Sequence, residues 1–115
     1  MSLSNFLNKL NNTPLEVSFQ DTMSVVDENY TFSETKFTNG DTVNEAGQNN
    51  GSCKLFAFAL ANKLTIDQTL NCFGDFYRKD VLDNPEGDNH QNIRNFIKSG
   101  FEGITFEGEA LQKKA

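Results

Sequence analysis

Seven consecutive apolar residues, LFAFALA at positions 55–61, stand behind a polar, glycine-punctuated stretch that ends at Ser52 and Cys53. No other feature of the chain constrains its fold as much. The run is far too short to cross a membrane, which takes about 20 apolar residues. Ser52 offers a side-chain oxygen that can cap a helix starting there. Cys53, Phe56, Ala57, Leu60 and Leu64 then form one stripe, and Leu55, Phe58, Ala59 and Ala61 cover much of the remaining circumference. A helix apolar most of the way round is packed on several sides. The rest of the chain is therefore expected to wrap it.

The flanking periodicities supply the wrapping elements. Leu3, Phe6, Leu7 and Leu10 predict a short opening helix that ends at Asn11 and Asn12. Thr13, Pro14 and Glu16 read as cap, first-turn proline and capping-box acid of a second helix, with Phe19, Met23, Val26 and Tyr30 on its inner face and its end near Asn29. Tyr30, Phe32, Thr35 and Phe37 alternate with polar residues, which predicts one or two short strands closed by Asn39 and Gly40. Thr65 and Gln68 form a capping box for a helix whose inner face is Ile66, Leu70, Phe73 and Tyr77. Gly74 inside that helix costs about 1 kcal/mol against alanine and so signals a close approach of another segment. Residues 84–87 (NPEG) make a turn, and Asp88 caps a last helix with Ile93, Phe96 and Ile97 buried. Gly100 suits the left-handed end of that helix, with Phe101 packing back on Phe96. Ile104 and Phe106 predict a short strand able to pair with residues 30–38, and the tail from Gly108 is expected to fray. The sum is an α+β fold: one mostly helical domain over residues 1–115, with a central buried helix and a small two- or three-stranded antiparallel sheet. Eleven Phe residues and no Trp supply the core volume.

Charge narrows the function. The net charge is −6, and residues 1–50 carry seven acids against two bases. No basic stripe exists to hold nucleic-acid phosphates or an anionic membrane. Two cysteines make no disulfide framework, and the amino terminus lacks the basic start and apolar stretch of a secretory signal. A soluble, cytoplasmic protein in a reducing compartment is expected. No metal or cofactor is expected either. Cys53 and Cys72 lack paired ligand motifs, and residues 41–45 (DTVNE) break the calcium-loop pattern at its third position.

Residues 41–52 show no element and form a longer irregular stretch than a mere connection needs. Two readings of Cys53 arise there. At the first position of a helix a thiol pKa falls, and His90, the only histidine, could act as base with Asp88 or Asn92 orienting it. That set would make a small cysteine hydrolase. On the other reading Cys53 is a core residue on the stripe of Phe56, Ala57 and Leu60, and the loop before it serves recognition. Residues 47–52 could also cradle an anion, although no Walker lysine follows. The recognition reading selects Asn44, Gln48, Asn49, Asn50 and Ser52, together with Asp75, Tyr77 and Arg78 from the aromatic and charged segment 72–82. There Arg78 and Lys79 are expected on a solvated edge, paired to Asp75.

Three stretches carry a resemblance: AGQNNGSCKLFAFA at 46–59, CFGDFYRKDVL at 72–82 and HQNIRNF at 90–96. Each resembles the HopJ type III effector family, and the helical opening and FTNG at 37–40 agree with it. The match runs from about Leu3 to Phe106. The family takes its name from proteins that plant-pathogenic Pseudomonas inject into host cells. It brings no catalytic residues to carry onto this chain. The resemblance implies a protein that binds an unidentified protein or small ligand, in the cytoplasm of the producing bacterium or, for a true effector, after translocation into a host cell.

Overall fold

The computed structural model describes residues 2–114. Helix α1 (Leu3–Asn12) is capped by the Ser2 hydroxyl, which accepts from the Asn5 N–H. A 3-10 turn (Pro14–Glu16) follows, and α2 (Phe19–Asn29) begins only after a break. The single helix expected from Pro14 to residue 29 is interrupted because Ser18 and Asp21 form a reciprocal capping box. Val17, just before it, turns fully into the core. The inner face of α2 is Thr22, Val25 and Val26. The Thr22 hydroxyl is satisfied there by donating to the Cys72 carbonyl at 2.8 Å.

Strand β1 (Tyr30–Phe32) is followed by a hairpin of β2 (Phe37–Asn39) and β3 (Thr42–Asn44). The two strands turn through Gly40 and Asp41, with Gly40 at φ +60°. β3 lies inside the stretch expected to be irregular. Its one apolar residue, Val43, faces solvent, so no alternation betrays it. β4 (Ile104–Phe106) joins the free side of β2, giving the order β3-β2-β4 and setting Phe37 opposite Phe106. β5 (Leu111–Lys113) pairs antiparallel with β1. The expected fraying from Gly108 is thus corrected: Ala110 and Leu111 are buried, and their anchoring is long-range.

Helix α3 (Asn50–Ala61) is the centre of the molecule. Phe56 meets the rings of Phe37, Phe73 and Phe96 at 5.1–6.1 Å. On its other side, Phe58 meets Phe6 and Tyr30 at 5.7 and 6.0 Å. Leu60 and Ala61 reach the surface, so α3 is covered on two sides rather than all round.

Helix α4 (Ile66–Asn71) starts with the expected Thr65–Gln68 capping box and stops three residues before Gly74. Gly74 has φ +64°, and a Cβ built there would lie 2.7 Å from the Phe19 nitrogen. The close approach is real, but it breaks the helix rather than sitting inside it. The chain continues as a π-helical segment (Phe76–Val81), in which the Leu82 N–H reaches back to the Tyr77 carbonyl at 3.0 Å. Ile66, expected inside, is exposed by the shorter helix.

The last helix, α5 (Gln91–Ser99), begins after His90 and not at Asp88. Ile93 and Phe96 are buried, whereas Ile97 is exposed. Arg94 is buried instead and holds the preceding turn by donating to the carbonyls of Asn84 (2.9 Å) and Asn89 (2.6 Å). Gly100 ends the helix, and Phe101 packs edge-on against Phe96 at 5.0 Å. Among the described residues no helix is long and apolar enough to cross a membrane.

Candidate functional site

Helices α3 and α5 start next to each other, and both start open. Each is preceded by a residue in the left-handed region, Asn49 at φ 52° and His90 at φ 53°. Neither residue caps its helix with a side-chain hydrogen bond. The first-turn N–H groups of a helix have no partners within it and carry about half a positive charge. Here both sets border one groove of about 490 Å³. Its apolar lining is Phe19, Phe73 and Phe76, and its rims are Asn49 and Ser52 on one side and His90 and Gln91 on the other.

A buried amide cluster fixes the two starts relative to each other. Asn44 and Asn92 donate to each other's side-chain oxygens at 3.1 and 3.0 Å. Asn39 donates to the Asn92 carbonyl at 2.8 Å. Asn49 donates to the Asn44 side-chain oxygen at 2.7 Å. That bond draws the Asn49 side chain away from α3 and leaves the helix start uncapped. Among the described residues these buried amide groups are paired apart from the Asn39 Oδ1, and the pairing locks the loop to α5.

Phe76 differs from the other phenylalanines. It is 38% exposed and stands outside the main core. Its ring is held between Phe19 and His90, each 5.3 Å away. His90 Nε2 lies 3.1 Å from the Asp80 carboxylate, which ties the π-helical segment to the start of α5. On the far side of Phe76 is a second groove of about 420 Å³, reaching Leu15, Glu16 and Asp75.

The residues singled out in the sequence separate into groups. Asn49 and Ser52 line the first groove, and Asp75 lines the second. Asn44 is fully buried, so its role is to build the amide cluster and not to face a ligand. Gln48 is bound by its own turn, accepting from the Glu45 N–H at 3.1 Å. Asn50 turns away and donates to Glu34 at 3.2 Å. Tyr77 is half-buried, and burial, aided by the Asp67 charge, pushes its hydroxyl pKa up. Arg78, expected on a solvated edge, faces inward. It donates to the carbonyls of Val17 (2.5 Å), Asn71 (3.2 Å) and Pro14 (3.3 Å), and lies 3.9 Å from Asp75. The break at Gly74 rotates the segment and causes this difference.

Cys53 sits at the fourth position of α3, because the helix begins earlier than Ser52. It is 1% exposed and donates to the Thr35 carbonyl at 3.6 Å. Burial pushes its pKa up, which is the reverse of what a thiolate nucleophile requires. His90 faces Asp80 instead, and Cys53 and His90 share no hydrogen bond among the described residues. Asp88 accepts at its carbonyl from the Gln91 side chain at 2.6 Å, and Asn92 belongs to the amide cluster. Among the described residues no group of histidine, cysteine and acidic side chains could hold a metal. The sequence reading missed Phe19 and Gln91 as site residues and held Phe76 and Asp80 only as part of segment 72–82. Phe76 carried no local signal, because three residues after Phe73 it reads as an edge of the same helical face, and its exposure follows only from the fold.

No curated protein matches the chain. A crystal structure described as that of a protein of unknown function, VPA0580, is similar over 99% of this chain and 95% of its own, with 54% identity and a TM-score of 0.97. The family model for HopJ type III effector proteins matches residues 3–111. The chain belongs to the HopJ type III effector protein family.

Proposed function

We propose that the protein acts by binding, in the cytoplasm of the bacterium that makes it or, once exported, in a host cell. The groove at the starts of α3 and α5 receives a flat apolar group that carries a hydrogen-bond acceptor. One observation supports this most: two uncapped helix starts border a single groove lined by Phe19, Phe73 and Phe76. The phenylalanines favour a planar apolar group. The helix-start N–H groups and Ser52 favour an acceptor beside it. The buried, upward-shifted thiol of Cys53 supports recognition over bond breaking.

The test is an NMR titration with acetyl-phenylalaninamide. Saturable shifts are expected at the amides of Gly51, Ser52, Gln91 and Asn92. Phe76→Ser should weaken the effect about three- to tenfold, the worth of one aromatic contact. Because Phe76 lies outside the core, this variant should keep its fold. Shifts equal to those from acetyl-glycinamide, or scattered away from the groove, would remove the reading.

A further inference from the structure

The two grooves share one wall. Phe19, Phe73 and Phe76 line both, and Phe76 stands between them as a partition. The second groove differs in chemistry from the first. Leu15, at its edge, is 73% exposed and is the most exposed of the large hydrophobic residues described. Glu16 and Asp75 supply its carboxylates. The one basic residue lining it, Arg78, has its guanidinium turned inward onto the carbonyls of Pro14, Val17 and Asn71. Arg78 and Lys79 each lie 3.9 Å from the Asp75 carboxylate, so among the described residues Glu16 is the lining carboxylate without an ion-pair partner. The groove thus pairs an apolar wall with one uncompensated carboxylate, that of Glu16.

We infer that the two grooves form one docking surface for an extended peptide segment of a partner protein, with a basic side chain two residues from an aromatic one. The inference rests on the binding reading of the first groove and names its occupant. Lysine and arginine carry an apolar stem and a charged head. The stem matches Leu15 and the face of Phe76, and the head matches the carboxylate of Glu16. In an extended strand, residues i and i+2 project to the same side, about 7 Å apart. A ring such as Phe76 fits between two such side chains. The aromatic residue then enters the first groove, and the adjoining peptide carbonyl supplies the acceptor for the helix-start N–H groups.

The probes are acetyl-Phe-Gly-Arg-amide and acetyl-Phe-Gly-Glu-amide, titrated against the full chain by NMR. The arginine peptide should shift Gly51, Ser52 and Gln91 together with Glu16, Gln20 and Asp75. It should bind tighter than the glutamate peptide, and Glu16→Gln should erase about three- to fivefold of its affinity. This substitution is at the surface, so an unchanged spectrum away from the groove verifies folding. If both peptides shift only the helix-start amides and bind equally, the inference fails while the binding reading stands. If neither peptide shifts those amides, both fail.

Discussion

Gly74 governs the site from outside it. Its backbone is left-handed, and the Phe19 nitrogen and Ser18 Cα occupy the space of a side chain. That packing ends α4 and turns Phe76 outward to stand between the grooves. Gly74→Ala should cost about 2–4 kcal/mol, from left-handed strain plus a contact that must be pushed apart. Urea unfolding measures this, and an unchanged midpoint would show that the segment re-routes without loss. The same substitution should reduce the acetyl-phenylalaninamide shifts at Gly51, because Phe76 moves with its backbone.

Among the elements, β5 was the least visible beforehand. Leu111, Gln112 and Lys113 give a single inward residue, and no alternation can be read from one position. What holds the strand is its partner, Tyr30–Phe32, some eighty residues earlier. Removing residues 110–114 should lower stability by about 2–4 kcal/mol in thermal unfolding, since Ala110 and Leu111 leave the core and Tyr30 loses its cover. A tail without structural weight would leave the transition unmoved. Capping boxes written in local order were legible where the residues alone decide, as at Thr65 and Gln68. The central place of α3 was legible too, because seven apolar residues leave few alternatives. Helix starts set by left-handed Asn49 and His90 were not, since ordinary caps stood nearby at Ser52 and Asp88. Arg78 was missed for a related reason. Its inward turn depends on Gly74 meeting Phe19, a contact between segments that no local pattern encodes. The groove itself forms where five separated stretches meet, so the sequence showed Asn49 and Ser52 but not the aromatic side opposite them.

For the molecule as a whole, both thiols lie inside the packed core. Burial pushes Cys72 up to about 12 and raises Cys53 as well. An alkylating reagent should label neither residue in the native state between pH 5 and 9, and both after denaturation. Native labelling of Cys53 at pH 6 would contradict the packing described for α3. The shift also has a thermodynamic sign. A thiol whose native pKa lies above its unfolded value keeps its proton longer when folded, so it adds stability below the unfolded value. That contribution is lost as pH rises from about 9 toward about 12, by up to about 1 kcal/mol per pH unit for Cys72. Comparing the parent with Cys72→Ala by chemical denaturation across that range isolates the slope.

The strand order has a consequence for synthesis. Residues 104–106 complete the sheet built on 37–39, and residues 111–113 complete the one built on 30–32. Until those late residues have left the ribosome, the early strands lack partners and Phe37 lacks its stacked neighbour Phe106. The short helices depend on that packing for their stability. Closure of both sheets therefore waits on residues 104–113, and until they pair Phe37 stays open on the side that Phe106 covers.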